Sequence, residues 1–118
     1  MTFERFQYAF VNDMPLNEQR AAFEKYVVPE SRAIPRQSLT SVGKVDFTKE
    51  HTPLLLIAGG NDHIIPPSLN KTNYEKYKSN SSMTDYKEFP SRNHFLLGQK
   101  NWEEIADYCM DWIASKKI

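Results

Sequence analysis

The sequence predicts an α/β fold in which two parallel strands are joined by a crossover helix and preceded by a pair of helices. Three patterns carry that prediction. Pro53-Leu54-Leu55-Leu56-Ile57-Ala58 is a short, unbroken apolar run closed by Gly59-Gly60-Asn61-Asp62, the signature of a strand covered on both faces. Thr84-Asp85-Tyr86-Lys87-Glu88-Phe89 alternates in polarity, as a strand nearer a sheet edge does. Between them lies a segment with helix signals. A strand–helix–strand crossover is right-handed in nearly all proteins and places its two strands side by side in parallel.

The elements follow in order. Phe3, Phe6, Tyr8 and Phe10 crowd the opening turns of a first helix, which breaks at Asn12-Asp13-Met14-Pro15. A second helix is predicted from Asn17 to Val28, with Ala22, Phe23, Tyr26 and Val27 on one stripe and Pro29 as its stop. Glu30 to Pro53 reads as a connector punctuated by Pro35 and Gly43, in which Ile34-Pro35-Arg36 and Val45-Asp46-Phe47 are brief extended pieces at most. Ser68 is the expected N-cap of the crossover helix, which runs to about Tyr77. A last helix is expected after Asn101, with Glu104 completing a capping pair. Trp102, Ile105, Ala106, Cys109, Trp112 and Ile113 form its apolar stripe.

Composition bounds the function. The 118 residues suit one domain, and 15 basic side chains balance 15 acidic ones. A neutral chain lacks the electrostatic footprint that nucleic acid or an anionic membrane selects, so neither is an expected partner. No apolar run approaches the roughly 20 residues that span a bilayer. The single cysteine, Cys109, has no internal disulfide partner, which favours a reducing, cytoplasmic setting. A strand as apolar as 53–58 also expects a neighbour on each side. With one clear second strand, the sheet must be completed by self-association through its open edge or by residues outside this sequence.

Ligands of open parallel sheets bind beyond the carboxyl ends of the strands. Asp62 follows the first strand and His94 follows the second, so parallel neighbours bring both loops to one rim. There a carboxylate can hold an imidazole through Nδ1–H and leave Nε2 to take a proton from a nucleophile. Asp62 also has a plainer reading, since Asx residues in turns bond their own backbone. His63 is expected to point elsewhere and His51 to be solvent-exposed. The three histidines lack zinc-site spacing, and Gly59-Gly60 is followed by no Lys-Ser/Thr. Neither a metal nor another cofactor is expected.

Leu54 to Pro66 resembles the seventh strand and acid turn of the α/β-hydrolase family. Phe89-Pro90-Ser91-Arg92-Asn93-His94-Phe95 is similar to its eighth strand and histidine loop, and Asn101 to Ile113 resembles the helix that follows. The resemblance implies the C-terminal part of such a fold, with residues 1–38 as a cap-like helical segment and 39–118 as core. It implies Asp62 as triad acid and His94 as general base, in the family order nucleophile, acid, histidine. It further implies an ester-like or related bond in a small molecule with an apolar group. Ile64 and Phe95 are the expected pocket wall. Phe6 and Phe10 are either a substrate-facing lid or simple helix packing. The departure is clear: no Gly-x-Ser-x-Gly occurs. The nucleophile, oxyanion donors and most of the sheet are therefore expected upstream of Met1, and the chain alone is expected to be inactive. The alternative is a non-catalytic module that binds an apolar ligand or a partner chain.

Overall fold

A computed structural model describes residues 1–116. Their elements run α1 (Phe3–Ala9), α2 (Leu16–Tyr26), α3 (Ala33–Gln37), a 3-10 turn (Ser41–Gly43), β1 (Leu54–Gly59), α4 (Pro67–Tyr77), β2 (Thr84–Phe89) and α5 (Glu103–Lys116). The chain is an α/β protein with a small two-stranded sheet. β1 and β2 pair in parallel from Leu54 opposite Thr84 to Gly59 opposite Phe89, and α4 crosses between them and packs on both. α4 begins one residue before the expected cap. Pro67 occupies the start of the helix after Pro66, with no side-chain cap; proline's fixed φ favours helix entry, and its missing N–H would be unpaired there anyway. Ser68 lies inside the first turn, where its carbonyl accepts from the Thr72 hydroxyl at 2.9 Å.

The apolar strand is less covered than its composition expects. Leu54 to Ile57 are half-buried, and only Ala58 and Gly59 are enclosed. β2 occupies one edge of β1, and no strand lies on the other among the described residues. Val45-Asp46-Phe47 does not fill the gap: Asp46 turns back to accept from the Thr48 N–H at 3.0 Å, and Phe47 packs edge-on against Tyr77. The molecule is accordingly open. Its radius of gyration is 16.2 Å, against about 13.5 Å for a compact chain of this length. Its accessible surface is 8581 Å², against about 6,600 Å² from the mass scaling of compact monomers.

α1 and α2 form a compact helical pair. Phe6, Val11 and Ala22 are buried at its centre, with Phe10, Met14, Phe23, Val27 and Phe95 around them. Buried Gln19 ties the interhelical turn: its Nε2 donates to the carbonyls of Val11 and Met14, both at 2.9 Å, and its Oε1 accepts from Gln7. α2 stops at Tyr26, two residues short of the expected Val28, and Val27 is already extended. The helix thus gives way just before Pro29, whose ring disfavours helical geometry at the residue before it.

Three expectations in the loops need correction. Ile34-Pro35-Arg36 is helical, within α3, rather than extended. Pro35 is the third residue of that short helix, where a missing N–H removes no intrahelical bond. His51 is partly buried: its Nδ1 lies 2.6 Å from the Thr52 carbonyl and its ring stands edge-on to Tyr77. The capping pair before α5 does not form. Asn101 takes a left-handed φ of 60°, which asparagine tolerates. The Glu104 carboxylate instead accepts from Arg92 at 2.9 Å, and Arg92 also donates to the carbonyls of Lys100 and Asn101. The partly buried Arg92 side chain fastens the histidine loop to the helix start where a cap was expected. α5 buries Ile105 (0% exposed) and is held to β2 by Tyr108 against Phe89 and by Trp112, whose indole N–H donates to Asp85 at 2.7 Å. Ile113, at 40% exposed, leaves part of the stripe uncovered. Among the described residues no helix is long and apolar enough to cross a membrane.

Candidate active site

The carboxyl ends of β1 and β2 carry two loops that ride directly against each other. Gly60 N–H donates to the Phe89 carbonyl at 2.9 Å, and Asn61 N–H donates to the Arg92 carbonyl at 2.8 Å. Glycine at 59 makes this approach possible. A Cβ there would lie 2.5 Å from the Arg92 oxygen and 2.7 Å from that of Asn93. The sheet pairing therefore continues into the loops and delivers Asp62, one residue past Asn61, and His94, two residues past Arg92, to the same rim.

Asp62 is 7% exposed and divides its carboxylate between two tasks. Oδ1 accepts from the backbone N–H groups of Ile64 at 2.8 Å and Ile65 at 2.9 Å. Oδ2 lies 2.9 Å from Nδ1 of His94. The turn role and the pairing role are both filled, one by each oxygen. With its proton on Nδ1 the imidazole donates to Oδ2, and Nε2 is left without a hydrogen-bond partner among the described residues. The Phe10 ring stands edge-on to the imidazole at 4.8 Å, which supports the ring's orientation.

Burial pushes the Asp62 carboxyl up. The Ile65 N–H, the His94 imidazole and the Ile64 N–H outweigh it and hold the group below its usual 3.8. A folded-state value depressed in this way contributes stability above the unfolded value, and that contribution is lost as pH falls through the folded value. The stability gap between the native chain and Asp62→Asn is therefore expected to be full near neutral pH and to shrink below about pH 4. Thermal melts of both proteins across that range check it, and a gap that stays constant contradicts it.

His94 lines an open groove of about 830 Å³ whose apolar walls include Phe6, Phe10, Tyr26, Val27 and Phe95, with Arg5 and Arg32 among the polar ones. Phe6, Phe10 and Phe95 thus gather at the histidine. Ile64 does not: it is 42% exposed, stands outside the groove wall and serves the acid through its backbone N–H. His63 turns away to the Tyr8 carbonyl at 2.8 Å. Ser91 is exposed and lies outside this groove, and Cys109 sits half-buried within α5. No hydroxyl or thiol of the described residues hydrogen-bonds His94.

Sequence reasoning missed a polar cluster beneath the pair. Asp13, in the turn between α1 and α2, accepts from the side chains of Asn61, Asn93 and Gln99, although Asn12-Asp13 reads only as a helix break. The one available signal is positional: an asparagine stands immediately before both Asp62 and His94.

Fold and site together define a class: an α/β protein with a carboxylate–imidazole pair at the carboxyl ends of adjacent parallel strands. No family model, curated protein or solved structure matches the chain, so the geometry carries the functional argument.

Proposed function

We propose that this chain supplies the acid and the general base of a serine-type α/β-hydrolase, with the nucleophile contributed by residues outside this sequence. The observation that carries the reading is the 2.9 Å approach of His94 Nδ1 to Asp62 Oδ2, made by loops that leave neighbouring parallel strands. Asp62 orients the ring and stabilises the imidazolium. Nε2 takes the hydroxyl proton as the nucleophile attacks an ester-like carbonyl, then returns it to the leaving group. The groove beside His94 takes the apolar part of a small substrate. The coding DNA upstream of Met1 tests the reading: an in-frame strand–Gly-x-Ser-x-Gly–helix segment is expected, and the encoded protein should hydrolyse nitrophenyl esters. The 118-residue chain by itself should neither turn over these esters nor react with a serine-directed probe. Labelling of the chain alone would contradict the proposal.

A second reading, a non-catalytic module that pairs with another chain, is favoured by the bare edge of β1. The surface surplus over a compact monomer is roughly 2,000 Å² on this one chain, above the roughly 800 Å² that each partner contributes to a standard protein interface. Leu54 N–H donates towards β2, to Met83 O at 3.0 Å, so by strand alternation the N–H of Leu55 faces the open edge. Leu55→Pro therefore removes an edge donor without touching the β1–β2 ladder. Sedimentation velocity should show the native chain self-associating and Leu55→Pro shifted towards monomer. Equal sedimentation of the two as monomers removes strand pairing as the mode of association.

A further inference from the structure

The Asp62–His94 pair is built from two loops, and a third segment holds those loops together. Asp13 lies 80 residues from Asn93 in sequence, yet its Oδ1 accepts from the Asn93 side-chain amide and, at 3.1 Å, from that of Gln99. Its Oδ2 accepts from the Asn61 side chain at 3.1 Å. The amide orientations are not arbitrary. Asn93 Oδ1 is occupied by the Phe95 N–H at 2.9 Å, and Gln99 Oε1 by the Asn93 N–H at 3.0 Å. The NH₂ groups of both must therefore face Asp13. Asn93 is 0% exposed, so a lost acceptor leaves a buried donor unpaired. Next to this bridge, Asn12 donates to the Asn61 carbonyl at 3.1 Å and the Phe95 N–H donates to the Phe10 carbonyl at 3.1 Å.

We propose that Asp13 is a positioning residue: its carboxylate clamps the residue before the acid to the residue before the base, and so sets the Asp62–His94 distance. Residues 61 and 93 each connect by one peptide bond to a member of the pair. A shift of about 1 Å between the loops would end the hydrogen bond between them. The turn between α1 and α2 thereby becomes part of the catalytic framework, and this face of the helical pair is fastened to the rim instead of swinging over it.

The inference rests on the Asp62–His94 pair of the proposed function, and its test reads the pair without requiring turnover. In the intact chain, at a pH where imidazole is neutral, long-range nitrogen–proton NMR reports which ring nitrogen of His94 carries the proton. A hydrogen-bonded Nδ1–H also gives a low-field resonance. Asp13→Ala is expected to lose that resonance and move His94 towards the Nε2–H tautomer. Asp13→Asn is expected to keep it, because its amide oxygen meets Asn93 and Gln99 and its NH₂ meets a turned-over Asn61 amide. Asn61→Ala, which cuts only the arm to the acid loop, is expected to weaken the resonance even if Asp13→Ala does not fold. A role confined to stability would lower the melting temperature and leave the folded-state tautomer unchanged. An unchanged Nδ1–H resonance in folded Asp13→Ala or in Asn61→Ala overturns the proposal. A native chain lacking that resonance removes the pair itself, which is a different failure.

Discussion

In a protein that joins this chain to a serine elbow, His94→Ala is expected to lower kcat/KM for nitrophenyl esters by about 10⁴-fold or more. The imidazole is the proton acceptor in the proposed reaction, and no other side chain among the described residues is placed to replace it. His63 is occupied at the Tyr8 carbonyl, and His51 lies against Tyr77, in contact with neither Asp62 nor His94. Asp62→Asn should approach the same loss, by about 10⁴-fold, for a reason visible in the hydrogen bonds. The N–H groups of Ile64 and Ile65 both require an acceptor at the Oδ1 position, so the new amide must turn its NH₂ towards His94. Nδ1 would then accept, the ring proton would sit on Nε2, and the base would be lost through its tautomer. Steady-state kinetics of both variants check these outcomes. Activity that survives His94→Ala removes the assignment.

Gly59→Ala is expected to have a large structural effect for the addition of a single methyl group. Its Cβ would meet two carbonyl oxygens of the histidine loop, at 2.5 and 2.7 Å, with backbone on both sides of the collision. Neither side can move without disturbing the end of β1 or the Arg92–Asn93 segment, so the cost should be at least the roughly 1–3 kcal/mol typical of overpacking. The same displacement separates Asp62 from His94. Urea denaturation should register the loss of stability, and the low-field His94 proton should weaken in whatever folded protein remains. A variant as stable as the native chain contradicts the close approach of the two loops.

Much of this architecture was legible because the relevant signals are local. The leucine-rich run and the alternating 84–89 segment yield β1 and β2 with nearly the expected ends, although the two-sided cover expected of β1 is not there: Leu54 to Ile57 are half-buried and one edge carries no strand among the described residues. Parallel pairing followed from the handedness of crossovers, and with it the meeting of Asp62 and His94 on one rim. What escaped depends on contacts between distant segments. Asn101 and Glu104 have the right spacing for a capping box, but Arg92 reaches the Glu104 carboxylate from another loop and prevails with a charge-assisted bond. The helical turn around Pro35 was hidden because proline reads as a breaker unless its place in the first turn is known. Asp13 was hidden more deeply. Its sequence neighbours, Asn12 to Pro15, describe a turn between helices, and nothing local reveals three amide side chains arriving from residues 61, 93 and 99.

The central claim is that one carboxylate oxygen of Asp62 holds the His94 imidazole at Nδ1. Nitrogen-15 spectra of the intact chain, taken where the ring is uncharged, interrogate that contact without substrate or nucleophile. The expected spectrum has His94 protonated on Nδ1, with a low-field proton that Asp62→Ala abolishes. A ring protonated on Nε2, or one that exchanges freely between the two tautomers, would mean that the acid and the base do not meet.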